Sequence, residues 1–211
     1  MQLSGLHTVL CLGAHADDIE IGCGGTMLRL LADNPKLEVH YVVLSASAER
    51  AREAENSAGH LLAGAGRLAV RVADFRENYF PYDGGKVKAY VDGLGRELAP
   101  DLIVTHWRGD FHQDHRLVGE LTWNAFRSHL ILEYEIPKWD GDMGRPNVFV
   151  PLSEEVCRRK INHLLSAFPS QTGKDWFTAE VFWSLLRLRG MEARSPSGYA
   201  EAFHCSKLVL D

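Results

Sequence analysis

The sequence predicts an α/β fold with a mainly parallel sheet covered by helices on both faces, and three observations carry that reading. Short apolar runs rich in Val, Leu and Ile recur along the chain, and each is followed by a stretch of helix-forming residues. The composition, 45% hydrophobic and 24% charged over 211 residues, is that of a globular chain able to bury a core, which excludes disorder, collagen and coiled coil. At roughly 100 to 200 residues per domain, with no internal repeat and no low-complexity linker, one domain over residues 1–211 is expected.

Taken in order, His7 to Gly13 reads as a strand ending in glycine, and Thr26 to Ala32 as a helix. Leu37 to Leu44 reads as a second strand, Glu49 to Leu62 as a helix of Ala, Glu and Arg, and Leu68 to Val72 as a third strand. An irregular aromatic stretch, Phe75 to Asp83, precedes a helix that starts after Gly84 and Gly85 and ends near Pro100; Asp101 to His106 is a continuous apolar strand. Val118 to Leu132 fits helix then strand. Ile136 to Asn147, with Pro137 and Pro146, reads as a loop. Ser153 suits the N-cap of a helix with Glu154 and Glu155 in its first turn and Arg158, Arg159 and Lys160 in its body; a last helix is expected from Trp176 to Leu188.

No apolar run approaches the roughly 18 residues of a membrane span, and no basic segment with an apolar core and cleavage site opens the sequence, so a cytoplasmic protein is expected. Cys11, Cys23, Cys157 and Cys205 are widely spaced, without a C-x-x-C pair, and read as reduced, buried thiols. With 23 Lys+Arg against 28 Asp+Glu, and no basic cluster longer than Arg158-Arg159-Lys160, nucleic acid is not an expected partner. The Trp and Phe content of the C-terminal half would suit a homo-oligomer interface.

Two clusters carry chemistry. Gly13-Ala14-His15-Ala16-Asp17-Asp18 follows the first expected strand, and His112-Gln113-Asp114-His115 follows the Asp101 to His106 strand, so both are expected in loops. In open parallel sheets the carboxyl ends of the strands line the ligand crevice, and the two clusters can converge there. Their imidazoles and carboxylates are donors that divalent zinc or ferrous iron accepts. Two His and one carboxylate leave a position for water, whose pKa such a metal lowers towards about 7, and of the adjacent Asp17 and Asp18 one can bind metal while the other takes a proton. The rival reading is a non-catalytic α/β module in which these residues hold a structural metal, cap a helix or hydrogen-bond one another.

Ala14-His15-Ala16-Asp17-Asp18, with Ile19-Glu20 and Gly22-Cys23-Gly24-Gly25-Thr26 behind it, resembles the A-H-P-D-D-E…G-G-T signature of the PIG-L/LmbE family of zinc-dependent N-acetyl-sugar deacetylases. His112-Gln113-Asp114-His115 resembles its H-P-D-H motif, and Arg50-x-x-Glu53 with Ser57-Ala58 and Leu61 resembles its R-x-x-E-x-x-x-A-A helix, so the similarity spans residues 8 to 120. The resemblance implies a Rossmann-like fold, His15, Asp18 and His115 as metal ligands, Asp17 as general base, His112 assisting the tetrahedral intermediate or leaving amine, and Asp114 orienting a neighbouring histidine. The implied metal is Zn2+, with Fe2+ accepted by the same ligands, and the implied substrate is a small N-acyl amino sugar or glycoside. Ala16 and Gln113 stand where the family has proline, and Glu20 lies one place beyond the usual glutamate. These changes remove no ligand or base, but they loosen the preset loops.

Other residues carry weaker signals. Gly22-x-Gly24-Gly25 lacks the G-x-G-x-x-G spacing of a nucleotide cradle and follows an acidic loop. Arg50 is assigned to substrate binding, although it also suits a solvated charged helix. His106 is read as a packing or hydrogen-bonding residue and left out of the ligands. Tyr134 to Trp139 and Ser170-Gln171-Thr172 are candidates to line a sugar cleft, and Tyr199 to Phe203 resembles a family stretch that would bring Glu201 to the site mouth.

Overall fold

A computed structural model describes residues 5–209. Its seven strands are β1 (Thr8–Gly13), β2 (Glu38–Val43), β3 (Arg67–Val72), β4 (Leu102–His106), β5 (Leu130–Tyr134), β6 (Val148–Pro151) and β7 (Ala200–His204). The helices are α1 (Asp18–Asp33), α2 (Ala48–Leu61), α3 (Gly84–Glu97), α4 (Gln113–Ala125), α5 (Glu154–Ala167) and α6 (Ala179–Glu192). The sheet order is β3-β2-β1-β4-β5-β7-β6. β1 to β5 run parallel in the Rossmann order, whereas β7 pairs antiparallel with both β5 and β6.

Alternation along each strand divides the core. Val9, Cys11, Val39, Tyr41 and Val43 face α1, α2, α5 and α6; Leu10, Leu12, Val42 and Ile103 face α3 and α4. Burial on both faces is why the strands read as continuous apolar runs. After β3 the chain returns to the other side of β1, so β1 and β4 are neighbours whose following loops leave in different directions. That switch point opens a crevice beyond Gly13 and His106.

The structure departs from the sequence expectations at four places. α1 begins at Asp18, eight residues before Thr26, so Gly22, Gly24 and Gly25 lie inside it. Their low helix propensity is overridden by packing: a Cβ on Gly22 would stand 2.2 Å from the Tyr134 ring, and one on Gly25 2.5 Å from Leu152 Cδ1. Gly22 and Gly25 therefore serve close packing of α1, and the three glycines form no phosphate loop. Second, Asp18 and the residues Gln113 to His115 open helices α1 and α4, where loop residues were expected. Third, the last long helix starts at Ala179, where Thr178 Oγ1 accepts the Val181 N–H. Fourth, β6 and β7 have no counterpart among the expected strands: each is short, and one carries the charged Glu201 inward. Ser153 caps α5 as expected, its Oγ accepting the Val156 N–H. All four cysteines are free, but Cys205 is half-exposed near the chain end. Among the described residues no helix is long and apolar enough to cross a membrane.

Candidate active site

The turn after β1 is shaped by Asp18, whose Oδ2 accepts the His15 N–H at 2.6 Å and ties the loop to the first turn of α1. Asp17 occupies the N-cap position of α1 without a capping bond from its side chain. Its Oδ1 instead meets Arg50 Nη2 at 2.5 Å. Arg50, from the first turn of α2, therefore engages the carboxylate read as the base. Beyond β4, His112 is the N-cap of α4, its Nδ1 accepting the Asp114 N–H at 3.2 Å.

These segments bring three donor groups together. His15 Nδ1 is 3.1 Å from His115 Nε2, and Asp18 is 3.5 Å from each ring through a different oxygen. These donors are of the kind zinc accepts, but Asp18 meets the two rings through separate oxygens; with one donor atom per residue, the groups that close within 4.8 Å are His15–His112–His115 and Asp18–His106–His115, which share His115. His112 also comes within reach of His15 and His115, and His106 within reach of Asp18 and His115.

Behind each of these two histidines stands a carboxylate. Asp114 Oδ2 is 3.2 Å from His15 Nε2, and its two oxygens also accept the N–H groups of Asn78 and Phe80. Asp110 Oδ2 is 3.0 Å from His115 Nδ1. Such partners fix the ring orientation and leave the opposite nitrogen facing the site.

Charge follows from this packing. Burial, then the neighbouring His106, depresses the His115 pKa to about 3 against the pull of Asp18 and Asp110, which keeps the ring neutral. Burial opposes a charge on His15 as well, yet Asp18 and Asp114 raise its pKa. Burial raises the pKa of Asp17 despite Arg50, with Asp18 adding to the effect. For Asp18, burial is outweighed by His115, His106 and His15, and the pKa falls well below the ordinary carboxylate range. Burial and His15 lower the pKa of His112.

Residues 10–126 match the PIG-L family, described as GlcNAc-PI de-N-acetylase. The chain belongs to the PIG-L family. A diacetylchitobiose deacetylase of Thermococcus kodakarensis is 29% identical over 201 residues, covering 80% of this chain and 73% of that protein. The N,N'-diacetylchitobiose deacetylase of Pyrococcus horikoshii, solved with its inhibitor MPG, shares the fold with a TM-score of 0.74 at 22% identity, over 95% of this chain and 84% of that one. GalB, the 4-carboxy-2-hydroxymuconate hydratase of Pseudomonas putida, shares it equally, with a TM-score of 0.76 at 18% identity over 97% and 98% of the two chains. The fold thus carries more than one reaction, and the site must decide.

One residue beside the site of this PIG-L chain, Asp110, has no counterpart among the sequence expectations. Asp110 lies in the same post-strand loop as His112, five residues before His115, and that spacing across a helix start was the available signal. His106 is fully buried and stacks on His115 with ring centroids 4.0 Å apart. Its Nε2 accepts the Ala14 N–H at 2.9 Å, the hydrogen-bonding role expected of it, and lies 3.0 Å from Asp18 Oδ2.

Three peripheral expectations are corrected. Glu201 lies under the middle of α1, about two turns beyond Asp18, accepting the Gly25 and Thr26 N–H groups and pairing with Lys160 at 2.6 Å, away from the site mouth. Tyr134 is fully buried, its hydroxyl donating to the Leu12 carbonyl, which removes it from any cleft. Ser170 is occupied by Glu53, and Gln171 is buried; of the aromatic residues between 134 and 139, only Trp139 is exposed, at 68%.

Proposed function

We propose that the protein is a metal-dependent N-deacetylase that hydrolyses the acetamide of an amino sugar or sugar-bearing metabolite, releasing acetate and the free amine. The observation that carries this reading is the convergence of His15 Nδ1, His115 Nε2 and the Asp18 carboxylate within 3.1 to 3.5 Å, beside a separate buried carboxylate. Membership of a de-N-acetylase family and similarity to diacetylchitobiose deacetylases support the amide and the sugar.

Zinc, or ferrous iron, held by His15, Asp18 and His115 would supply a Lewis acid that acidifies water and polarises the amide carbonyl. Asp17, its proton affinity raised by burial, takes a proton from the attacking water, while Arg50 fixes the direction of the carboxylate. His112 receives the Asp114 N–H on Nδ1, so the neutral ring carries its hydrogen on Nε2. That N–H donates to the carbonyl oxygen as negative charge grows there. The proton taken by Asp17 completes the reaction by moving to the departing nitrogen, and the C–N bond breaks with the electron pair on that nitrogen.

The test is an acetate-release screen of the zinc-loaded protein against N-acetyl monosaccharides, chitooligosaccharides, nucleotide sugars and glycosides. Release from at least one class, abolished by His115→Ala, is expected. Absence of release from all of them with metal bound argues for the binding module instead.

A further inference from the structure

Lys138 lies on the segment between β5 and β6, with a side chain only 8% exposed. Its Nζ is 2.9 Å from Asp110 Oδ1, 2.6 Å from Asp142 Oδ2 and 3.7 Å from Asp140 Oδ2. Oxygens of these three acids come close enough to one another to share a cation, and the lysine ammonium meets all three. Both of its closest partners are also tied to the loop after β4. Asp110 Oδ2 faces His115 Nδ1 at 3.0 Å, while its Oδ1 accepts the His112 N–H at 2.7 Å. Asp142 Oδ2 accepts the Phe111 N–H at 2.7 Å.

We infer that Lys138 is a positioning residue for the metal centre: its ammonium holds Asp110 in the geometry that aims His115 Nε2 at the ion. This inference rests on His15, Asp18 and His115 being the ligands. Asp110 and Asp142 are both nearly buried. Without a cation between them, two such carboxylates repel in a poorly solvated space and the segments that carry them part. That movement shifts the oxygen that faces His115, and a histidine ligand without its carboxylate loses orientation and basicity. A lysine that merely stapled a surface loop would contribute to melting temperature and leave metal affinity alone.

The experiment is zinc affinity, measured by competition with a chromophoric chelator on the full chain whose fold is checked by circular dichroism. Lys138→Met is expected to weaken zinc binding about tenfold. Lys138→Arg, which keeps the charge, is expected to stay nearer wild type than to Lys138→Met. The double variant Lys138→Met/Asp142→Asn, which removes the repelling carboxylate together with the ammonium, is expected to recover much of the loss. If Lys138→Met does not fold, Lys138→Gln takes its place in the same series. A folded Lys138→Met or Lys138→Gln with wild-type zinc affinity overturns the role of Lys138, as does a double variant no better than the single one. A wild-type protein that binds no zinc overturns the metal reading itself and this inference with it.

Discussion

His15 Nδ1 and His115 Nε2 stand 3.1 Å apart although a hundred residues of chain separate them. The sheet brings this about. β1 and β4 are adjacent parallel strands with Cys11 opposite Val104, so the loops that leave their carboxyl ends start side by side. Asp114 then turns one ring and Asp110 the other, each from the side away from the shared space. Neither ring would hold that attitude through backbone position alone, because an imidazole rotates freely about its side-chain bonds until a hydrogen bond selects one orientation.

An ion that binds both histidines and Asp18 joins the first loop to the fourth strand's loop, and it binds the folded chain alone. At a free zinc concentration a hundred times the dissociation constant, such linkage stabilises by about 2.7 kcal/mol. For a chain of this length that raises the melting temperature by roughly 5–10 °C. Scanning calorimetry with and without zinc checks this, and His15→Ala is expected to remove most of the rise. An equal rise in the variant would place zinc elsewhere.

Asp17 sits at the N-cap of α1 without a capping bond from its side chain, and its carboxylate is held by Arg50. Asp17→Asn is therefore expected to lower kcat by about 10² to 10⁴, the usual contribution of a proton-transferring group, with the bound metal stoichiometric. Steady-state acetate release together with elemental analysis measures both quantities. Near-normal turnover at full metal content would assign the proton transfer to another group.

The parallel half of the fold was legible because buried strands write themselves as apolar runs: β1, β2, β3 and β4 lie within a residue or so of where those runs placed them. The antiparallel edge was not, since β6 and β7 take their meaning from pairing with β5 and with each other, which local composition does not record. The first half of α1 is hidden in the sequence for a related reason: Gly22 looks like a helix breaker until the Tyr134 ring is placed against it. In the site, the histidine and aspartate clusters announced themselves by chemistry and spacing. Asp110 and Lys138 did not, because a supporting carboxylate and its counter-ion are defined by what they touch in three dimensions.

Glu201 and Lys160 form a buried ion pair beneath α1, and Glu201 also holds the Gly25 and Thr26 N–H groups there. Glu201→Ala leaves the lysine ammonium buried without its counter-charge, at an expected cost of about 3–5 kcal/mol. Urea denaturation reads that loss. Because the pair is remote from His15 and His115, kcat measured well below the melting temperature is expected to be unchanged; a selective fall in kcat would instead return Glu201 to the site mouth.

Glu20 gives the fold a pH dependence of definite sign. Its buried carboxyl accepts from Ser57 Oγ at 2.5 Å and from the Tyr41 hydroxyl at about 3 Å, with Ser57 Oγ also 2.8 Å from His163 Nε2. Burial dominates these hydrogen bonds and lifts the pKa from 4.5 to about 8. Between those two values the folded chain keeps a proton that the unfolded chain has lost, so stability falls as pH rises through that window and levels off above about 8. The full span corresponds to on the order of 5 kcal/mol. Glu20→Gln keeps a neutral amide in the same place and has no proton to lose. In metal-free protein, the gap in urea midpoint between Glu20→Gln and wild type is expected to widen in favour of the variant from pH 5 to pH 8; a gap that stays constant across that range would mean that Glu20 is ionised in the folded state.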